Sequence, residues 1–116
     1  MKIYLSKYDA IYGLHKSGYT HDFQIAGNDL LWIQEKIFVR AGDFVIDEYH
    51  QFSDHRRKGA GIIVFGVVVP SHGVKGILIR HYRTDCLKVP PVILKKIKDL
   101  LVHSTMRTSK TNYLTN

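Results

Sequence analysis

The sequence predicts an α+β domain: an N-terminal helix, a mainly antiparallel sheet of about five strands, and a C-terminal helix, with the helices packed on one face. Three observations lead there. The run from Gly61 to Val69 is apolar without interruption and rich in β-branched residues. It is too short to cross a bilayer as a helix, and it reads as a central strand covered on both faces. Helical spacing of apolar residues occurs only near the two ends of the chain, and the alternating strand and helix units of a parallel sheet are absent.

The elements follow in order. Ser6-Lys7-Tyr8-Asp9 has the form of a capping box, Tyr8, Ile11 and Tyr12 recur at helical spacing, and Ser17-Gly18 supplies a left-handed stop. Tyr19, His21, Phe23 and Ile25 alternate with polar residues as a half-buried strand does. Gly27-Asn28-Asp29 is a turn, and Leu30 to Ile33 resumes extended structure, so the two pieces form a hairpin. Gln34 to Arg40 is ambiguous: it could continue the second strand through Ile37-Phe38-Val39, and Ala41-Gly42-Asp43 then reads as a loop. From Phe44 the alternation places Ile46, Glu48, His50 and Phe52 on one side and Asp47, Tyr49 and Gln51 on the other. A polar loop, Ser53 to Gly59, leads into the apolar run, and Val74 to Tyr82 pairs antiparallel with that run across Pro70-Ser71-His72-Gly73. Pro90-Pro91 opens the second helix, with Ile93, Ile97, Leu100 and Leu101 as its apolar stripe. Residues 1–103 are expected to form one domain and 104–116 a polar tail.

With 116 residues, 45% of them apolar, the chain can bury one real core. It carries a net charge of +7, distributed unevenly. Met1 to Asp54 holds eight acids against five Lys or Arg, while His55 to Asn116 holds two acids against twelve. Such a layout suits an anionic partner or head-to-tail association. The single Cys86 excludes an internal disulfide and a site of several thiolates. No leader or spanning pattern is present, so a cytoplasmic location without membrane contact is expected.

The stretches Gly18 to Phe23, Asp43 to Phe52 and His72 to Ile79 resemble a family of small uncharacterised bacterial proteins often labelled phosphoribosylpyrophosphate synthetase. The resemblance covers Tyr4 to Lys88. That label does not describe an activity here: such a synthetase resembles a longer tandem of two α/β domains, and this chain has no glycine-rich phosphate loop opening a helix. The sequence departs from the family at Arg80-His81-Tyr82-Arg83, where an acidic, small-residue ending is usual, and at Gln51-Phe52-Ser53-Asp54.

Three constellations could carry function. Arg56, Arg57, Lys58, Arg80, His81 and Arg83, with Lys75 and Lys88, could bind an anion or nucleic acid, with Tyr82 as a stacking face. If the apolar run and Val74 to Tyr82 form a hairpin, the Arg56 and Arg80 groups share one end. His21, Glu48 and His50, with neighbouring Asp22, Asp47, Asp54 and His55, are suitable metal donors, though no ligand framework fixes three of them together. Apolar residues on both strand faces suggest a second subunit, with Trp32 and Tyr49 as contacts. The expectation is a homo-oligomeric binding or regulatory module without catalysis or cofactor, with a basic end for an anionic partner. The alternatives are a nucleic-acid-binding protein and a metal-dependent enzyme.

Overall fold

The computed structural model describes residues 3–83 and 90–96. Helix α1 spans Lys7–Lys16. The Ser6 hydroxyl accepts from the Asp9 N–H at 3.2 Å, satisfying one of the free donors of the first turn. At the other end Gly18 adopts φ +98°, a conformation that a side chain would strain. The helix buries Ala10 and Leu14.

Six strands follow: β1 (His21–Ala26), β2 (Asp29–Trp32), β3 (Ile37–Val39), β4 (Val45–Ser53), β5 (Ala60–Val69) and β6 (Val74–Arg83). They form one sheet in the order β3-β2-β1-β6-β5-β4. The sheet is therefore mixed and has one strand more than the sequence pattern indicates. Two three-stranded antiparallel meanders, β1–β3 and β4–β6, meet where β1 runs parallel to β6. The apolar run is not the centre of the sheet; β5 lies one place in from the edge strand β4. Ile37 to Val39 does not extend β2, because Lys36 turns the chain at φ 57° and its N–H returns to the Trp32 carbonyl at 2.8 Å.

β5 nevertheless has both faces covered. Phe65, Val67 and Val69 join Phe23, Leu30, Trp32, Val39, Phe44, Ile46 and Leu78 in one cluster. Val64 joins Ala10, Leu14, Tyr19 and Ile77 in a second cluster, under α1. The connection from β3 to β4 bends the sheet. Its six Cα steps, Val39 to Val45, reach about 21 Å at most. Five interstrand gaps in a flat sheet would need about 24 Å. The two edges must therefore curl toward each other around the first cluster.

Residues 91–96 are helical and form α2. Ile93 is fully buried in the first cluster, so the two helices lie on opposite faces of the sheet and not on one. The physical reason is that α1 already covers the second cluster, and the mouth of the curled sheet remains for Ile93 to fill. Lys96 anchors α2 there, its Nζ donating to the Phe44 carbonyl at 2.6 Å. Cys86, Lys88, the rest of the helical stripe and the tail expected over 104–116 lie outside the described residues. No helix among the described residues is long and apolar enough to cross a membrane.

Candidate anion-binding cleft

The β5–β6 hairpin determines what meets at its open end. β5 and β6 pair over their whole length in a register that sets Ala60 opposite Arg83 and Ile63 opposite Arg80. The loop from β4 to β5 and the last turns of β6 are thereby neighbours. Asp54 shapes that loop: its Oδ1 accepts from the Arg56 N–H at 2.9 Å, and its carbonyl accepts from the Arg57 N–H at 3.2 Å. The loop closes with the Ala60 N–H on the Arg57 carbonyl, and the two arginine side chains project from an ordered turn.

A cleft of about 1150 Å³ opens at this end. Arg56, Arg57, Arg80, His81 and Arg83 all line it. Lys58 stands exposed on the same loop but outside the lining. Lys75 is elsewhere, at the start of β6, with its Nζ 4.5 Å from the centre of the Tyr19 ring. The remaining wall comes from the N-terminal segment and first turn of α1, Tyr4 to Tyr8, which adds Lys7 and two aromatic rings. Sequence reasoning missed this wall, because nothing local to Tyr4–Tyr8 says where α1 docks. Asp54 is the one carboxylate among the described lining residues. Its Oδ1 lies 4.0 Å from the Arg56 Nε in an exposed pair, which solvent screens.

A second polar group sits under α1. β4 carries a bulge between Ile46 and Glu48, so Asp47 is an extra residue opposite β5. The bulge shifts the alternation: Ile46 pairs with Val67 on the first cluster, and Glu48, His50 and Phe52 face α1. Asp47 and Glu48 then both reach Tyr19, whose hydroxyl donates to Asp47 Oδ2 at 2.5 Å and lies 3.5 Å from Glu48 Oε2. His50 Nε2 lies 2.8 Å from Glu48 Oε1, and Tyr4 meets the His50 ring edge-on. Burial, then the hydrogen bond to Asp47 and the negative charges of Asp47 and Glu48, hold the Tyr19 phenol far above its ordinary range. Burial also raises the Asp47 carboxyl, although the Tyr19 hydrogen bond opposes it. Gly66 makes room for this group, since a Cβ there would come within 3.0 Å of Tyr19, Asp47 and Glu48.

The sequence-derived metal donors do not meet. Glu48 and His50 face α1, whereas His21 lies with Trp32 beside the first cluster, its Nδ1 accepting from the indole N–H at 3.0 Å. Among the described residues no three His, Cys, Asp or Glu side chains gather closely enough to hold an ion. Of the suggested subunit contacts, Trp32 is buried in the chain's own core and Tyr49 is half-buried against Phe65. Comparison of the chain with protein-family models, curated proteins and solved structures finds no match. The reading of the cleft therefore rests on its own geometry.

Proposed function

We propose that this chain is a non-enzymatic binding module and that the cleft at the end of the β5–β6 hairpin takes an anionic partner. The observation that supports it is the meeting of four arginines from two separate segments, with Lys7, around one open cleft that has Asp54 as the carboxylate in its described lining. Cations gathered around one cleft raise the local concentration of an anion, and their contacts with it release counterions. The test uses long-chain inorganic polyphosphate, which has charge and no other recognition chemistry. Binding should weaken steeply with salt and fall on the order of a hundredfold in the triple variant Arg56→Ala, Arg57→Ala, Arg83→Ala. Equal affinity of variant and wild type would remove this reading.

A second reading concerns assembly. Helix α1 packs on β4, β5 and β6. On the same side of the sheet Phe38 of β3 is 64% exposed and Ile79 of β6 is 41% exposed. A second copy of the chain would cover these side chains, in place of contacts through Trp32 and Tyr49. Sedimentation should then show an oligomer that Phe38→Asp dissociates; a wild-type monomer at micromolar concentration removes this second reading.

A further inference from the structure

We propose that the ligand of the cleft is single-stranded nucleic acid, with bases laid on its tyrosine rings and phosphates on its arginines. The proposal rests on the anion-binding reading and narrows it to one ligand class. Tyr4, Tyr8, Phe52 and Tyr82 line the same cleft as the arginines. A simple anion or an acidic peptide would need the cations alone. Rings interleaved with cations are the surface on which a strand stacks its bases while its backbone follows the charge.

Tyr8 is the most telling of the four. It stands in the first turn of α1, 72% exposed, on a helix whose buried side is Ala10 and Leu14. Core packing therefore gives it little role, and the Lys7 ammonium lies over its ring, 5.2 Å from the centre, so a base would stack on the other face or displace the ammonium. Tyr82 is held from the opposite wall, its hydroxyl accepting from the Gln51 amide at 3.0 Å. A duplex is a poor fit, because α1 lies against the sheet and offers the cleft only its first turn, not a face that could enter a groove. Stacking on rings does not depend on which base is present, so the stacking part of binding should tolerate sequence.

The experiment is fluorescence anisotropy with labelled oligo-dT and oligo-rU of about ten nucleotides, with polyphosphate, deoxythymidine monophosphate and a duplex of equal length as competitors. Tyr8→Ala should weaken oligonucleotide binding on the order of tenfold, Tyr8→Phe should keep it, and neither should change polyphosphate affinity. Tyr8 is exposed, so its loss leaves the fold intact, which the unfolding midpoint checks. The proposal is overturned if Tyr8→Ala binds the oligonucleotide as wild type does, or if the duplex or the mononucleotide competes as well as the strand. Polyphosphate binding without a gain for the oligonucleotide would sink the nucleic-acid proposal alone and leave the anion site standing. No binding of either would sink both.

Discussion

Two polar groups occupy the two ends of the β4–β6 meander, and they differ in the signs of charge they bring together. Under α1, the carboxyls of Asp47 and Glu48 are answered from inside the chain by the Tyr19 hydroxyl, His50 and the nearby Lys75. At the hairpin's open end, Arg56, Arg57, Arg80 and Arg83 share a cleft with Asp54, which is itself engaged in shaping the loop. The first group closes on itself and, through Tyr19, ties the segment between α1 and β1 to β4. In the second, one sign of charge predominates around an open cleft, the arrangement on which the proposed anion site rests. Carboxylates and cations occur in both, so residue type alone does not distinguish the two ends; the proportion of the two signs does.

The largest break in this comparison should come from Tyr19→Ala. Tyr19 is 4% exposed and belongs to the cluster beneath α1. Removing its ring should cost about 3–5 kcal/mol in urea unfolding, by analogy with other large aromatic truncations. Polyphosphate affinity of the folded variant should stay within about twofold, a change of roughly 0.4 kcal/mol. The converse variant, Arg56→Ala with Arg57→Ala, removes two exposed side chains from the cleft. Its polyphosphate affinity should fall by at least about tenfold, and its unfolding free energy should move by no more than about 0.5 kcal/mol. If either substitution moves both readouts together, the two ends are not independent.

The contrast was partly legible in the sequence. The caps of α1 at Ser6 and Gly18 are local signals, and the β5–β6 hairpin follows from two extended segments of equal length across a short turn. That hairpin is enough to place Arg56 and Arg57 near Arg80 and Arg83. The parallel contact of β1 with β6 was not legible, because it joins the edges of two meanders distant in sequence and leaves no local trace. Nor was the bulge: an alternation read with period two assigns Ile46 to the side of Glu48 and His50, whereas the extra residue moves it to the opposite face. The same inserted residue brings Asp47 beside Glu48 at Tyr19. The aromatic wall depends on where α1 docks, which its own sequence does not state.

A smaller effect should sharpen the view of the network as closely fitted. Gly66→Ala sets a methyl group 3.0 Å from Asp47, Glu48 and Tyr19 side-chain atoms. Those side chains must give by a few tenths of an ångström, and a loss of about 1–3 kcal/mol is expected in urea unfolding. No loss would mean that the carboxyls simply swing out to water and that the network is loose.

The smallest effect tests the sign of the balance at Asp47. Its carboxyl is raised above the ordinary 3.8, burial being the largest cause. A group with a raised folded pKa contributes stability fully below the unfolded value, and loses it as pH rises through the folded value. Asp47→Asn keeps an acceptor for the Tyr19 hydroxyl and cannot titrate. Wild type and variant should therefore be closest in stability at acid pH, and the variant should gain as pH rises out of the carboxylate range. Because solvent reaches Asp47 at the sheet edge, the gain should stay below about 1 kcal/mol. Thermal midpoints of both proteins across the acidic range measure it. Should wild type gain on the variant instead, the hydrogen bond from Tyr19 would outweigh burial. The bulge would then hold a carboxylate stabilised by its charge, and the network would resemble an anion site turned inward more than a neutral clasp.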